Sequence, residues 1–141
     1  MTKIITGTWR GSTGPMQVVS VPMGKEHVHF EAPRADCLAD EMGSFLDWFE
    51  RGEPVDAVLK AALAHLWFLT IHPCDDGNGR IARAIADMAL ARSEHSPQRF
   101  YSMSAQIRQE RNDYYDILER TQKGTMDIGP WMEWFLGCLG R

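Results

Sequence analysis

Between residues 55 and 71 the chain has almost no polar face. Val55, Val58, Leu59, Ala62, Leu63, Leu66 and Leu69 recur at helical spacing, and Trp67 and Phe68 fill much of the remaining circumference. A helix apolar nearly all round is stable only when other elements surround it. The segment is therefore read as the central helix of a bundle, opened by Pro54 and running to about Ile71.

The rest of the pattern supplies its neighbours. Leu38, Met42, Phe45, Leu46 and Phe49 keep helical spacing between Pro33 and Gly52. Ile81, Ile85, Met88 and Ala89 mark a third helix. Met103, Ile107, Tyr114 and Leu118 mark a fourth, ending near Gly124, and Pro130 begins a last one with Trp131, Trp134, Phe135 and Leu139. Ahead of these, residues 1–15 read as a glycine-bearing loop. Met16 to Val21 and Glu26 to Phe30 favour strands, joined by Pro22-Met23-Gly24-Lys25 as a hairpin. The expectation is a mainly α fold, a helical bundle around a central helix with one small β-hairpin, forming a single domain over residues 1–141.

Composition narrows the setting. The formal net charge of −4 argues against a general nucleic-acid-binding surface, so an anion site must come from local placement of arginines. Cys37, Cys74 and Cys138 show no paired spacing, which points to neither a disulfide framework nor a zinc site and suits a cytoplasmic protein. No stretch approaches the roughly 18 apolar residues of a membrane span.

The chemistry concentrates in residues 72–83, His-Pro-Cys-Asp-Asp-Gly-Asn-Gly-Arg-Ile-Ala-Arg, between two helical runs. Gly77-Asn78-Gly79 sits where a loop becomes a helix, and a helix start presents unpaired N–H groups that suit phosphate. Asn78 adds a side-chain amide. Arg80 and Arg83, three apart, place two guanidinium groups beside that start. Asp76 can hold Mg²⁺ against the same phosphates, with Asp75 as a second candidate or a helix cap. His72, at the end of the central helix, has the type and position of a general base for a hydroxyl nucleophile, or of a helix-end dipole partner. His65 lies ~10.5 Å back along the helix, too far to share a metal with it. His27 and His29 share one face of a strand and could chelate a metal, but a solvated strand face explains them better.

Taken together these residues resemble the signature of the Fic family, which includes the Doc toxins: His-x-Phe-x-(Asp/Glu)-Gly-Asn-Gly-Arg-x-x-Arg. His72, Asp76, Gly77, Asn78, Gly79, Arg80 and Arg83 match it, and Cys74 stands in place of the phenylalanine. Gly7-x-Trp9-Arg10 ahead of the hairpin, Ala64-His65 through Ile71, and Tyr114-Tyr115-x-x-Leu118 with Gln122-x-Gly124 extend the likeness over most of the chain.

The resemblance implies a transferase that moves AMP from Mg-ATP to a Ser, Thr or Tyr hydroxyl of a target protein, the chain itself included. It implies His72 as the base and Asp76 as the Mg²⁺ ligand. Asp75, Gly77, Asn78, Gly79 and Arg80 would line the phosphates, Arg83 the γ-phosphate, and Tyr115 the adenine side. A flap of Val18, Val19, Val21 and Val28 would align the target by strand-like pairing. Alternatives on the same motif are a nucleotide-binding module without turnover, another phosphate-group transfer, removal of AMP, or a metal-dependent phosphohydrolase. No Ser or Thr is followed by Glu four residues later, so the family's inhibitory (Ser/Thr)-x-x-x-Glu helix is not expected in this sequence. The Gly-x-Trp-Arg segment comes at residue 7, which suggests a core lacking the family's N-terminal helices.

Overall fold

The computed structural model describes residues 8–11, 16–20, 27–51, 56–94, 103–124 and 127–139. Among them run strands β1 (Met16–Ser20) and β2 (His27–Ala32), a 3₁₀ turn (Ala35–Cys37), and helices α1 (Leu38–Glu50), α2 (Ala57–Ile71), α3 (Asn78–Glu94), α4 (Met103–Gln109), α5 (Arg111–Lys123) and α6 (Gly129–Leu139).

The central helix is α2. It starts where the Asp56 carboxylate accepts the N–H groups of Val58 and Leu59 at 2.9 and 3.2 Å, satisfying donors that a helix start leaves unpaired. Pro54, expected to open the helix, lies outside the described residues, and the aspartate sets the boundary. Ala61, Ala62, Ala64, His65, Leu66, Phe68, Leu69 and Ile71 are all buried. Residues this close in sequence face every direction, so α2 needs cover on all sides.

Three neighbours provide that cover. On one side α1 inserts Phe45, whose ring meets Trp67 edge-on at 5.3 Å and Phe68 at 6.0 Å. On another, α6 buries Trp131 completely and its indole N–H donates to the Ala62 carbonyl at 2.9 Å. The most extensive contact is with α3, which buries Ala82, Ala86, Ala89 and Leu90. This alters the sequence reading. Ile81 and Met88, taken as core markers of the third helix, are exposed. Small side chains face α2 instead and let the two helices approach closely. Leu46 and Leu59 are likewise exposed.

The single fourth helix expected over 103–124 is two. Glu110 has φ −108° and ψ 35°, outside the helical region, and separates α4 from α5. The strands pair antiparallel, Met16 with Ala32 through Ser20 with His27, and the register shifts between Val18 and Val19. Their partners are Phe30 and Val28, so His29 is the extra residue and regular alternation from His27 does not pass through it. Val21 and the 22–25 connection lie outside the described residues. No helix among the described residues is long and apolar enough to cross a membrane.

His65 is the polar exception in this core. It is fully buried, and its Nε2 lies 2.8 Å from the Tyr114 hydroxyl. Burial, reinforced by the charge of Arg83, pushes its pKa down to about 3. The folded pKa lies below the unfolded value of about 6.5. The associated stability is therefore complete above about pH 6.5 and is lost as pH falls toward 3. Thermal melts should show this: a plateau at neutral pH, a decline below about 6.5, and a shallower decline in a His65→Gln variant. Equal slopes in the two proteins would mean that His65 does not resist protonation.

Candidate active site

The site is assembled at the C-terminal end of α2. His72 follows the last turn with φ 51° and ψ 58°, the left-handed conformation, and its N–H still bonds the Phe68 carbonyl at 2.9 Å. Among the described residues it is the one non-glycine with positive φ. Such a conformation costs on the order of 1 kcal/mol or more and persists only where the surroundings enforce it.

Arg10 supplies the enforcement. It is 2% exposed. Its Nε donates to the His72 carbonyl at 2.6 Å, and its Nη2 donates to the carbonyls of Ile71, at 3.2 Å, and Pro33. Its backbone N–H donates to the Pro73 carbonyl at 2.8 Å. One side chain thus satisfies carbonyls that the end of α2 leaves open and ties the segment before the hairpin to the motif loop. Charged donors make the stronger hydrogen bonds.

The same clamp adds to burial in setting the state of His72. Its ring is half-buried, and burial together with the Arg10 charge lowers its pKa to about 4, partly offset by a hydrogen bond with the Leu69 backbone. At neutral pH the imidazole is uncharged, the form a general base requires.

Beyond His72 the loop is held by Asn78. Its Oδ1 accepts the Cys74 N–H at 3.0 Å and its Nδ2 donates to the Cys74 carbonyl at 2.8 Å, with the residue 4% exposed. Its oxygen and one N–H fix the loop, and what the position offers an anion is chiefly its place in the first turn of α3. Gly77 has φ 87°, a conformation that disfavours side chains, and its N–H bonds the Asp76 carboxylate at 2.8 Å. Its carbonyl accepts the first helical bond of α3, from Ile81, at 3.0 Å.

Both glycines also lie close to the arginine side chains. A Cβ on Gly77 would lie 3.5 Å from a guanidinium nitrogen of Arg80, and one on Gly79 would lie 3.4 Å from that of Arg83. The two arginines therefore fold back over the helix start. Arg80 reaches Asp76 at 3.7 Å with both groups exposed, a weak pair in water. Among the described residues no carboxylate pairs with Arg83.

Arg80 and Arg83 open into a cleft of about 460 Å³ between α3 and the α4–α5 pair. Ala84 and Asp87 continue the α3 wall; Ile107, Arg108, Arg111, Tyr114 and Tyr115 form the other. The Arg111 guanidinium lies 5.7 Å from the centre of the exposed Tyr115 ring. Four guanidinium groups against one carboxylate give this cleft a positive character suited to an anion, with an aromatic side. Of the residues expected to meet a nucleotide, Arg80, Arg83 and Tyr115 line it. Asp75 does not, and its charge acts on Arg10. Arg108, Arg111 and Tyr114 were not singled out as binding residues from the sequence. Their signal was present, since 107, 108, 111, 114 and 115 keep helical spacing, but the same pattern also describes a core face.

For a metal, no group of three or more His, Cys, Asp or Glu side chains converges among the described residues. Asp76 alone suits Mg²⁺, which commonly takes one carboxylate and completes its shell with phosphate and water.

The family model for Fic/DOC proteins matches residues 3–90. The chain belongs to the Fic/DOC family. It is similar to a protein adenylyltransferase Fic of Nematostella vectensis, 34% identical over 113 residues that cover 77% of this chain and 24% of the relative. A protein of the same name from Drosophila willistoni is 34% identical over 106 residues, 74% of this chain and 20% of the relative. The chain thus spans about a quarter or less of these relatives' length. Among solved structures, a Fic family protein from Desulfovibrio desulfuricans G20 aligns with a TM-score of 0.71 at 27% identity, over 96% of this chain and 39% of that one.

Within this Fic domain, Arg10 is the residue on which the loop's geometry rests. Arg10→Met should destabilise the domain by about 3 kcal/mol or more, since it strips hydrogen bonds from three carbonyls at once. Chemical denaturation of the two proteins measures the difference. A change below about 1 kcal/mol would show that the loop holds itself.

Proposed function

We propose that the chain is a protein adenylyltransferase domain that transfers AMP from Mg-ATP to a hydroxyl side chain of a target protein, with His72 as general base. One observation carries the reading: an imidazole kept neutral at the end of α2 stands six residues before a helix start whose two arginines open into a cleft suited to an anion. The names of the relatives support the same class. Free cysteines at 37, 74 and 138 favour a cytoplasmic setting.

In this reading the triphosphate lies along the start of α3, where first-turn N–H groups, Arg80 and Arg83 meet its charge. Asp76 holds Mg²⁺, which when bound neutralises phosphate charge. Asp75 stays beside Arg10 as support for the loop. Tyr115 offers its ring to the base. The backbone of the β1–β2 pair, in which Val19 pairs with Val28 and Val18 with Phe30, offers an extended target segment a strand edge. Neutral His72 takes the proton of the target hydroxyl as its oxygen bonds to the α-phosphorus and pyrophosphate leaves. Catalysis then rests on positioning, charge neutralisation and one base.

Incubation with labelled ATP and a lysate, followed by intact-mass analysis, separates the alternatives. AMP-labelled protein supports transfer. Nucleotide binding without label indicates a module without turnover, and phosphate release without label indicates hydrolysis. His72→Ala should lower the transfer rate by roughly 10²–10⁴-fold while ATP affinity stays nearly unchanged. Full transfer activity in that variant would reduce His72 to a helix-end residue.

A further inference from the structure

A triphosphate lying along the start of α3 meets two of the cleft's four arginines, Arg80 and Arg83. Arg108 and Arg111, on the facing wall, are left over.

The directions of the helices say where they stand. α2 and α5 run the same way: His65 lies 2.8 Å from the Tyr114 hydroxyl, and farther along both helices Gln122 donates to Thr70 at 3.4 Å. α3 runs the other way, since Asn78 holds the loop just beyond Ile71 while Arg83 acts by its charge on His65 and Tyr114. Arg83 and Tyr114 are therefore level with each other. Past that level α3 continues to Ala84 and Asp87, whereas α5 is followed backwards, to Arg111 and across the break at Glu110 to Arg108. Arg111 and Arg108 thus border the end of the cleft that lies beyond Arg83, away from the helix start.

Neither cation is neutralised by the protein. Both residues are exposed, and among the described residues no carboxylate pairs with either. Mg²⁺ cancels part of a triphosphate's charge, and Arg80 and Arg83 face what remains. Two further guanidinium groups on one side of a cleft focus their field on the space between the walls. At about 460 Å³ that space has the size of a small-molecule site.

We infer that the far end is a further phosphate subsite: Arg108 and Arg111 bind a phosphate group attached beyond the γ-phosphate, and the cleft prefers nucleotides with more than three phosphates in the chain. The inference rests on the nucleotide reading of the cleft. Guanidinium forks suit the task because each can take two phosphate oxygens. Attack on the α-phosphorus of such a nucleotide releases inorganic triphosphate in place of pyrophosphate, with the hydroxyl proton again taken by His72.

Calorimetry on the whole chain with Mg²⁺ compares ATP with adenosine 5′-tetraphosphate. The tetraphosphate should bind roughly 10–100-fold more tightly, the usual worth of hydrogen bonds to a charged group. In a variant carrying Arg108→Gln and Arg111→Gln that advantage should shrink to about twofold or less; both side chains are exposed, so the fold tolerates the change. Equal affinities for the two nucleotides in the unaltered chain would overturn the subsite. So would an advantage that survives in the double variant, which would mark it as attraction by the cleft as a whole. In both cases ATP binding leaves the nucleotide reading standing. Failure of either nucleotide to bind the unaltered chain at all would overturn that reading, and the subsite with it.

Discussion

Everything at the site depends on one guanidinium at the end of one helix. A helix terminates with several carbonyls unpaired, and burying that end without donors would be prohibitive. Arg10 meets those of Ile71 and His72, and adds Pro33 from the segment after β2. Because the donor comes from far away in sequence, the end of α2 is fixed only when the chain ahead of the hairpin has come into place. The left-handed turn at His72 follows from this contact, and the Arg10 charge adds to burial in keeping the ring neutral. Remove the cation, and the direction of the loop loses its cause while the base keeps only its burial.

The cleft shows the complementary logic. Its α3 wall carries residues 80, 83, 84 and 87 on one face, while Ala82, Ala86, Ala89 and Leu90 turn to α2. The alanines let α3 sit close to the central helix, and the arginines opposite them are held at the rim of the space facing α4 and α5. The break at Glu110 gives the other wall two helices instead of one, so that Arg108 before it and Arg111, Tyr114 and Tyr115 after it border the same opening.

The bundle was largely legible because its strongest signal, the all-round apolarity of residues 55–71, admits few alternatives. The motif was legible because so many special residues fall together between two helices. What escaped the sequence is what depends on distance in space. The Gly-x-Trp-Arg pattern ending at Arg10 marks a segment, but nothing local says that its side chain will reach residues 33, 71 and 72. Ile81 and Met88 satisfied the helical period equally well, yet the close α2–α3 approach favours alanine and leaves the larger residues outside. The break at Glu110 has no proline or glycine to announce it. Tyr114 looked like a core residue and is one, and only the position of α3 makes it also a wall of the cleft.

The reciprocal pair between Asn78 and residue 74 has a consequence for the position where the sequence departs from its family's signature. Both hydrogen bonds go to main-chain atoms, the N–H and the carbonyl of Cys74. Any side chain other than proline presents those atoms alike. The shape of the loop is thus insulated from the identity of residue 74, whose side chain answers only to the packing beneath it. A thiol can replace a ring there without altering a single bond that holds the turn.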